Sequence, residues 1–239
     1  MVKETTMIEL KNLNFVVKTA NSEKEILKNI NLAFARGKIT VITGANGSGK
    51  STLAKLIMGL NTATSGKILL NGTDITHLNV TDRAKMGITL AFQQPIKFKG
   101  ITVKDLLEIA MGEQANISRA CEYLSKVGLC AKDYITRELD STLSGGELKR
   151  IELAVSLAKG GEVFIFDEPE AGIDLWSFEE LIKVFANLKN KTVIIVSHQQ
   201  KILEFADYIL LLNNDGSYCI DTKKKVLPML ANKSCRRLG

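Results

Sequence analysis

The chain has 239 residues, enough for one or two domains with a sizeable core. Hydrophobic residues make up 45% of it, yet no apolar run approaches the ~18 residues of a membrane span, and Met1-Val2-Lys3-Glu4-Thr5-Thr6 holds no apolar leader, so a pore is excluded and a cytoplasmic location expected. The net charge of +6 comes from scattered lysines, with Lys223-Lys224-Lys225 and Arg236-Arg237 as solvated surface, and argues against a nucleic-acid partner.

Residues 7–17 alternate as Ile8, Leu10, then Leu13, Phe15 and Val17, with a phase slip at Lys11-Asn12 that implies two strands or a bulge. Polar residues 18–25 read as a hairpin turn, after which Ile26, Ile30 and Leu32 lead to a buried strand at 38–43. Next comes Gly44-Ala45-Asn46-Gly47-Ser48-Gly49-Lys50-Ser51-Thr52, the pattern G-x-x-x-x-G-K-[ST], followed by a helix over 51–58. Such a loop cradles phosphates: Gly44, Gly47 and Gly49 let the backbone approach an anion, and Asn46, Ser48 and Thr52 lie beside it. Lys50 is expected to reach the β- and γ-phosphates and Ser51 to ligate Mg2+. Gly66 to Leu70 reads as a strand that ends in the Asn71-Gly72 turn.

After a strand at Ile88 to Phe92 the chain reaches Gln93-Gln94-Pro95, where proline stops regular pairing. Helical spacing follows over 102–111 and 117–127, the second ending at Gly128, with a polar connection at 131–142. A third helix starts after Ser144, an N-cap with Glu147 at the capping-box position, and Gly145 and Gly146 leave its N-terminus open to a phosphate.

From Val163 the pattern is strand 163–166, helix 175–188, strand 192–197, helix 201–206 and strand 208–212, which argues for a parallel sheet covered on both faces. A turn at Asn213 to Gly216, a short strand and a terminal helix from Lys223 complete the chain. The strand Val163 to Phe166 delivers Asp167 and Glu168, the first placed to hold Mg2+ or its water, the second to accept a proton from an attacking water. His198, just past a strand, stands near this pair as a γ-phosphate contact, whereas His77 has no motif around it and reads as surface. Trp176 and Phe178 read as core, with a contact surface as the alternative. Cys121, Cys130, Cys219 and Cys235 lack metal-ligand spacing and read as free thiols.

Taken in order, Gly44 to Thr52, Gln93, Leu143-Ser144-Gly145-Gly146-Glu147, Phe164 to Glu168, Ala171-Gly172-Ile173-Asp174 and Val196-Ser197-His198 resemble an ABC-type ATPase cassette along essentially the whole chain. The resemblance implies an α/β P-loop NTPase fold with a mixed sheet core, an antiparallel β subdomain and a helical subdomain. It implies one domain over 1–239, with 1–92 and 160–239 as catalytic core and 93–159 as helical subdomain. It also implies ATP hydrolysis with Mg2+ and an ATP-dependent head-to-tail homodimer. Lys50, Ser51 and Thr52 of one copy and Ser144, Gly145, Gly146 and Glu147 of the other would hold each nucleotide. Gln93 would sense metal and γ-phosphate, and Asp174 would cross the dimer interface.

A finer resemblance, to the soluble ATPase of the Suf iron-sulfur assembly system, rests on Leu90 to Pro95, Gly146-Glu147-Leu148-Lys149-Arg150 and His198-Gln199-Gln200-Lys201-Ile202-Leu203. Val17, where many transporter cassettes place a tyrosine against adenine, points the same way. The implied partner is an iron-sulfur scaffold protein. Pro169 after the acidic pair is common in transporter cassettes, for which the partner is a transmembrane subunit, and the helical insert is shorter than that of the Suf ATPase, which implies a reduced or divergent Suf-like system.

Overall fold

The phase slip at Lys11-Asn12 is a bulge within one strand, β1 (Thr6–Thr19). Asn12 takes φ 46°, and the shifted register returns Leu13 to the buried face already occupied by Ile8 and Leu10. β1 pairs antiparallel with β2 (Ser22–Ala35), and Val17, Lys18 and Thr19 oppose Lys24, Glu23 and Ser22. Strand pairing therefore occupies most of the stretch read from its polarity as a turn; the hairpin projects past the core, where polar side chains suit both faces. This computed structural model describes residues 5–19, 22–92, 98–140, 142–173 and 175–235. Gln93, Gln94, Pro95, Asp174, Arg236 and Arg237 lie outside the described residues, as do the side chains of Trp176 and Cys235.

The phosphate loop joins β3 (Ile39–Gly44) to α1 (Lys50–Met58), and β4 (Ser65–Leu70) turns at Asn71-Gly72 into β5 (Thr73–Asp74). A short helix, α2 (Val80–Lys85), escapes the sequence pattern because its residues are mostly polar and show no apolar stripe; Asn79 caps it by accepting from Asp82 N–H. Its buried residue is Arg83, whose guanidinium donates to the carbonyls of Leu56, Ile57, Thr76 and Leu78 and so closes the C-terminus of α1.

After β6 (Ile88–Ala91) come β7 (Phe98–Thr102), α3 (Val103–Met111), α4 (Ile117–Lys126), α5 (Ala131–Tyr134), β8 (Glu138–Leu139) and α6 (Gly145–Lys159). The stretch 131–142, read as polar connection, holds the helical turn α5 and the strand β8, which pairs with β7 across the insert. Only long-range pairing makes that strand, so local periodicity carries no sign of it. β9 (Val163–Asp167), α7 (Leu175–Asn187), β10 (Thr192–Val196), α8 (Gln200–Phe205), β11 (Tyr208–Leu212), β12 (Tyr218–Thr222) and α9 (Lys223–Cys235) follow as the alternation implied.

Among the described residues the central sheet has the order β12-β11-β3-β10-β9-β6, parallel except for β12, and a second, antiparallel sheet runs β2-β1-β4-β5. Alternation along the parallel strands feeds two cores. Val41, Ile195 and Phe166 face α3, α4, α6 and α7, with Phe178 buried there as expected, while Ile42, Ile165 and Val196 face α1 and the antiparallel sheet. The free edge of each polar loop is thereby left at the carboxyl ends of β3, β9 and β10, where ligands bind in sheets of this kind.

Candidate active site

The loop after β3 cannot be built with side chains at its fixed glycines. A Cβ on Gly44, at φ 141°, would sit 2.0 Å from Leu212 O on the neighbouring strand, and Gly49 takes φ 93° as the N-cap of α1. No side chain caps that helix, so its first-turn N–H groups point outward unclaimed, an anion-binding arrangement. Ser48 Oγ is buried with no hydrogen-bond partner among the described residues, a second group suited to an anion. Lys50 Nζ folds across the loop and donates to Gly44 O and Ala45 O, each at 2.9 Å. Burial pushes its pKa down, while Glu168 and Asp167 nearby pull it up, so the cation is held against a carboxylate pair.

Ser51 Oγ donates to Asp167 Oδ1 at 2.8 Å, joining the start of α1 to the end of β9. Burial raises the Asp167 pKa, the Ser51 hydroxyl opposes that, and Glu168 adds to it. Two hard oxygen donors so close, with a partly desolvated carboxylate seeking positive charge, fit Mg2+. Glu168 takes φ 47°, a left-handed conformation unusual for a non-glycine residue. Its N–H donates to Val196 O and its carbonyl accepts from Ala171 N–H, both at 3.0 Å.

Asn46, Gly47, Gly49, Lys50, Ser51 and Thr52 line a cleft of ≈ 550 Å³ together with Glu168 and His198. The fold thus gathers residues from three loops far apart in the chain. Lys24 and Ile26 of β2 also line the cleft. Nothing local in the sequence flags them, because the register of the β1–β2 hairpin carries them there. Glu170 is a second residue that motif reading passes over: it is buried, accepts from Ser197 Oγ at 2.5 Å, and burial raises its pKa.

Ser144, Gly145, Gly146 and Glu147 form the N-terminus of α6, apart from the residues that line this cleft. The capping box is complete: Ser144 N–H donates to Glu147 Oε2 at 2.6 Å and Glu147 N–H to Ser144 Oγ at 3.2 Å. Tyr134 OH also donates to Glu147 Oε1 at 2.5 Å, and Arg137 lies 3.7 Å from the same oxygen. These contacts, led by Tyr134, hold the Glu147 pKa down at about 2. Gln93 and Asp174 lie outside the described residues, and His77 is exposed.

The family model described as ABC transporter matches residues 27–171, so the phosphate loop, the capped helix α6 and the acidic pair all fall within it. The chain belongs to the ABC transporter family, and it is an ATP-binding, ATP-hydrolysing cassette of that family. It is 42% identical over 199 residues to the uncharacterized ABC transporter ATP-binding protein MJ0035 of Methanocaldococcus jannaschii, covering 79% of this chain and 80% of that protein. It is also 35% identical to the iron-sulfur cluster assembly protein SufC of Plasmodium falciparum, over 84% of this chain and 62% of that one. In structure it is similar to the ATP-binding cassette MJ0796, solved as a dimer in a post-hydrolysis state with ADP and Pi. The TM-score is 0.83 at 26% identity, over 91% of this chain and 99% of that one. Among the described residues no helix is long and apolar enough to cross a membrane.

Proposed function

We propose that this chain is a cytoplasmic motor in which ATP binding closes a head-to-tail homodimer and hydrolysis reopens it, driving a soluble scaffold on which iron-sulfur clusters are built. The hydrogen bond from Ser51 to Asp167, on a cleft shared with Glu168 and His198, carries the catalytic part of this reading. Lys50 exchanges its two loop carbonyls for β- and γ-phosphate oxygens, and the uncapped N–H groups of α1 hold the same phosphates. Ser51 and Asp167 would hold Mg2+, with Gln93 as a further contact by the family resemblance, and the ion would supply positive charge to the phosphate oxygens. Glu168 accepts a proton from the water whose oxygen bonds to the γ-phosphorus; the bond to the β,γ-bridging oxygen breaks, and ADP and phosphate leave. His198 orients the γ-phosphate. Ser144, Gly145 and Gly146 of a second copy close over it, Glu147 shapes their helix terminus, and Asp174, by the family resemblance, would cross between copies. In this reading the chain is one domain, with 1–92 and 160–239 as catalytic core and 93–159 as helical subdomain.

The likeness to the Plasmodium protein, together with the stretches at 90–95, 146–150 and 198–203, supports the scaffold as partner. Pro169 and the likeness to the Methanocaldococcus protein favour a second reading, the ATPase subunit of a membrane transporter. Purification of the tagged chain from its own cell, with soluble and membrane fractions kept apart, tests the choice. Recovery with a soluble partner that contains iron and sulfide is the expected result. Recovery with an integral membrane protein alone would overturn the iron-sulfur role and leave the ATP chemistry standing.

A further inference from the structure

Glu170, two residues after Glu168, sends its carboxylate into the interior, where the fully buried Ser197 Oγ donates to Oε1 at 2.5 Å. The same Ser197 Oγ accepts from Gln199 N–H at 3.0 Å, so its two bonds bracket His198. The backbone around them is closed by Glu168 N–H to Val196 O, Ser197 N–H to Ile42 O and Ile173 N–H to Glu170 O. This side-chain contact links the loop after β9, which carries Glu168, to the loop after β10, which carries His198. The second oxygen of Glu170, Oε2, is buried and has no hydrogen-bond partner among the described residues. Leaving a carboxylate oxygen buried and unpaired is costly, and such cost concentrates where a site's geometry has to be held.

We propose that Glu170 is a positioning residue: through Ser197 it sets the spacing between Glu168 and His198 at the γ-phosphate end of the cleft. This deepens, and rests on, the reading of Glu168 as base and His198 as γ-phosphate contact. Glu168 stands in a left-handed conformation that a loosened turn would leave, and a displacement near 1 Å is enough to slow a reaction on the order of 100-fold.

The test is steady-state ATP hydrolysis by the full chain carrying Glu170→Ala, Ser197→Ala, both together, or Glu170→Gln. Each single alanine variant is expected to lower kcat by about tenfold or more while KM changes less than about threefold. The double variant should be no slower than the slower single one, since both changes cut the same link. Glu170→Gln should recover most of the rate, because its amide oxygen still accepts from Ser197. If Glu170→Ala does not fold, Ser197→Ala, which removes only a hydroxyl, carries the same expectation. Near-normal kcat in both alanine variants, losses that multiply in the double variant, or no recovery with glutamine would overturn the proposal. Glu168→Gln run alongside separates the two levels. If it hydrolyses ATP normally, the base assignment fails and the proposal falls with it; if it is inactive while the alanine variants are normal, only the positioning role fails.

Discussion

Lys50 and Glu147 show how differently a charge serves at two places in this cassette. The Lys50 ammonium is buried and faces two carboxylates, so its removal deletes the cation that the phosphates would meet. Lys50→Ala is expected to cut ATP turnover on the order of 10²–10³-fold, measured by phosphate release, whereas unchanged turnover would sink the phosphate-loop assignment. Glu147 acts within its own chain, as cap for α6 and acceptor for Tyr134. Its pKa lies at about 2 against an ordinary 4.5, so the stability it contributes is full above 4.5 and fades as pH falls toward 2. Glu147→Ala should therefore destabilise the chain by about 1 kcal/mol at pH 7. Denaturant titrations of the two proteins should converge as the pH drops below 4.5; a gap that widens with acid would contradict the assignment.

At the scale of elements, the phosphate loop depends on α1, and α1 depends on α2. Arg83 from α2 satisfies the carbonyls of Leu56 and Ile57 at the end of α1, which have little access to water. Arg83→Ala takes the donor from buried Ile57 O and loses the bonds to Thr76 O and Leu78 O, while Leu56 O keeps the Gly59 N–H at 3.1 Å, at a cost of about 3 kcal/mol. Thermal unfolding should shift down by roughly 6–12 °C. A shift under about 2 °C would mean that water replaces the guanidinium and that α1 is held by its apolar face alone.

For the whole molecule, one copy supplies the loop, Glu168 and His198 in one cleft, and the N-terminus of α6 is not among the residues that line it. In the proposed head-to-tail homodimer a second copy would bring its helix terminus to the first cleft. Glu168→Gln is expected to retain ATP, to lose on the order of 10²–10⁴-fold in turnover, and to accumulate as a dimer with Mg2+ and ATP. Light scattering coupled to size exclusion would read that state. A variant that stays monomeric at saturating ATP would argue that closure needs the partner protein.

Much of this was legible in the residue order. The phosphate loop, the capping box at Ser144 and Glu147, the acidic end of β9 and the alternation after Val163 are local patterns, because turns, caps and periodicity depend on neighbours within a few positions. Helix α2 and strand β8 were not legible, since one owes its place to a buried arginine and the other to pairing across the insert. The full length of the hairpin, with Lys24 and Ile26 at the cleft, is a matter of register between strands. The sequence by itself determined the glycine loop before α1, the capping box at the start of α6 and the two carboxylates at the end of β9. Only the tertiary structure decided that Ser51 meets Asp167, 116 positions away, and that Glu170 meets Ser197. Side chains so far apart in the chain come within hydrogen-bond distance only once the parallel strands are stacked in order, and no local pattern encodes that order.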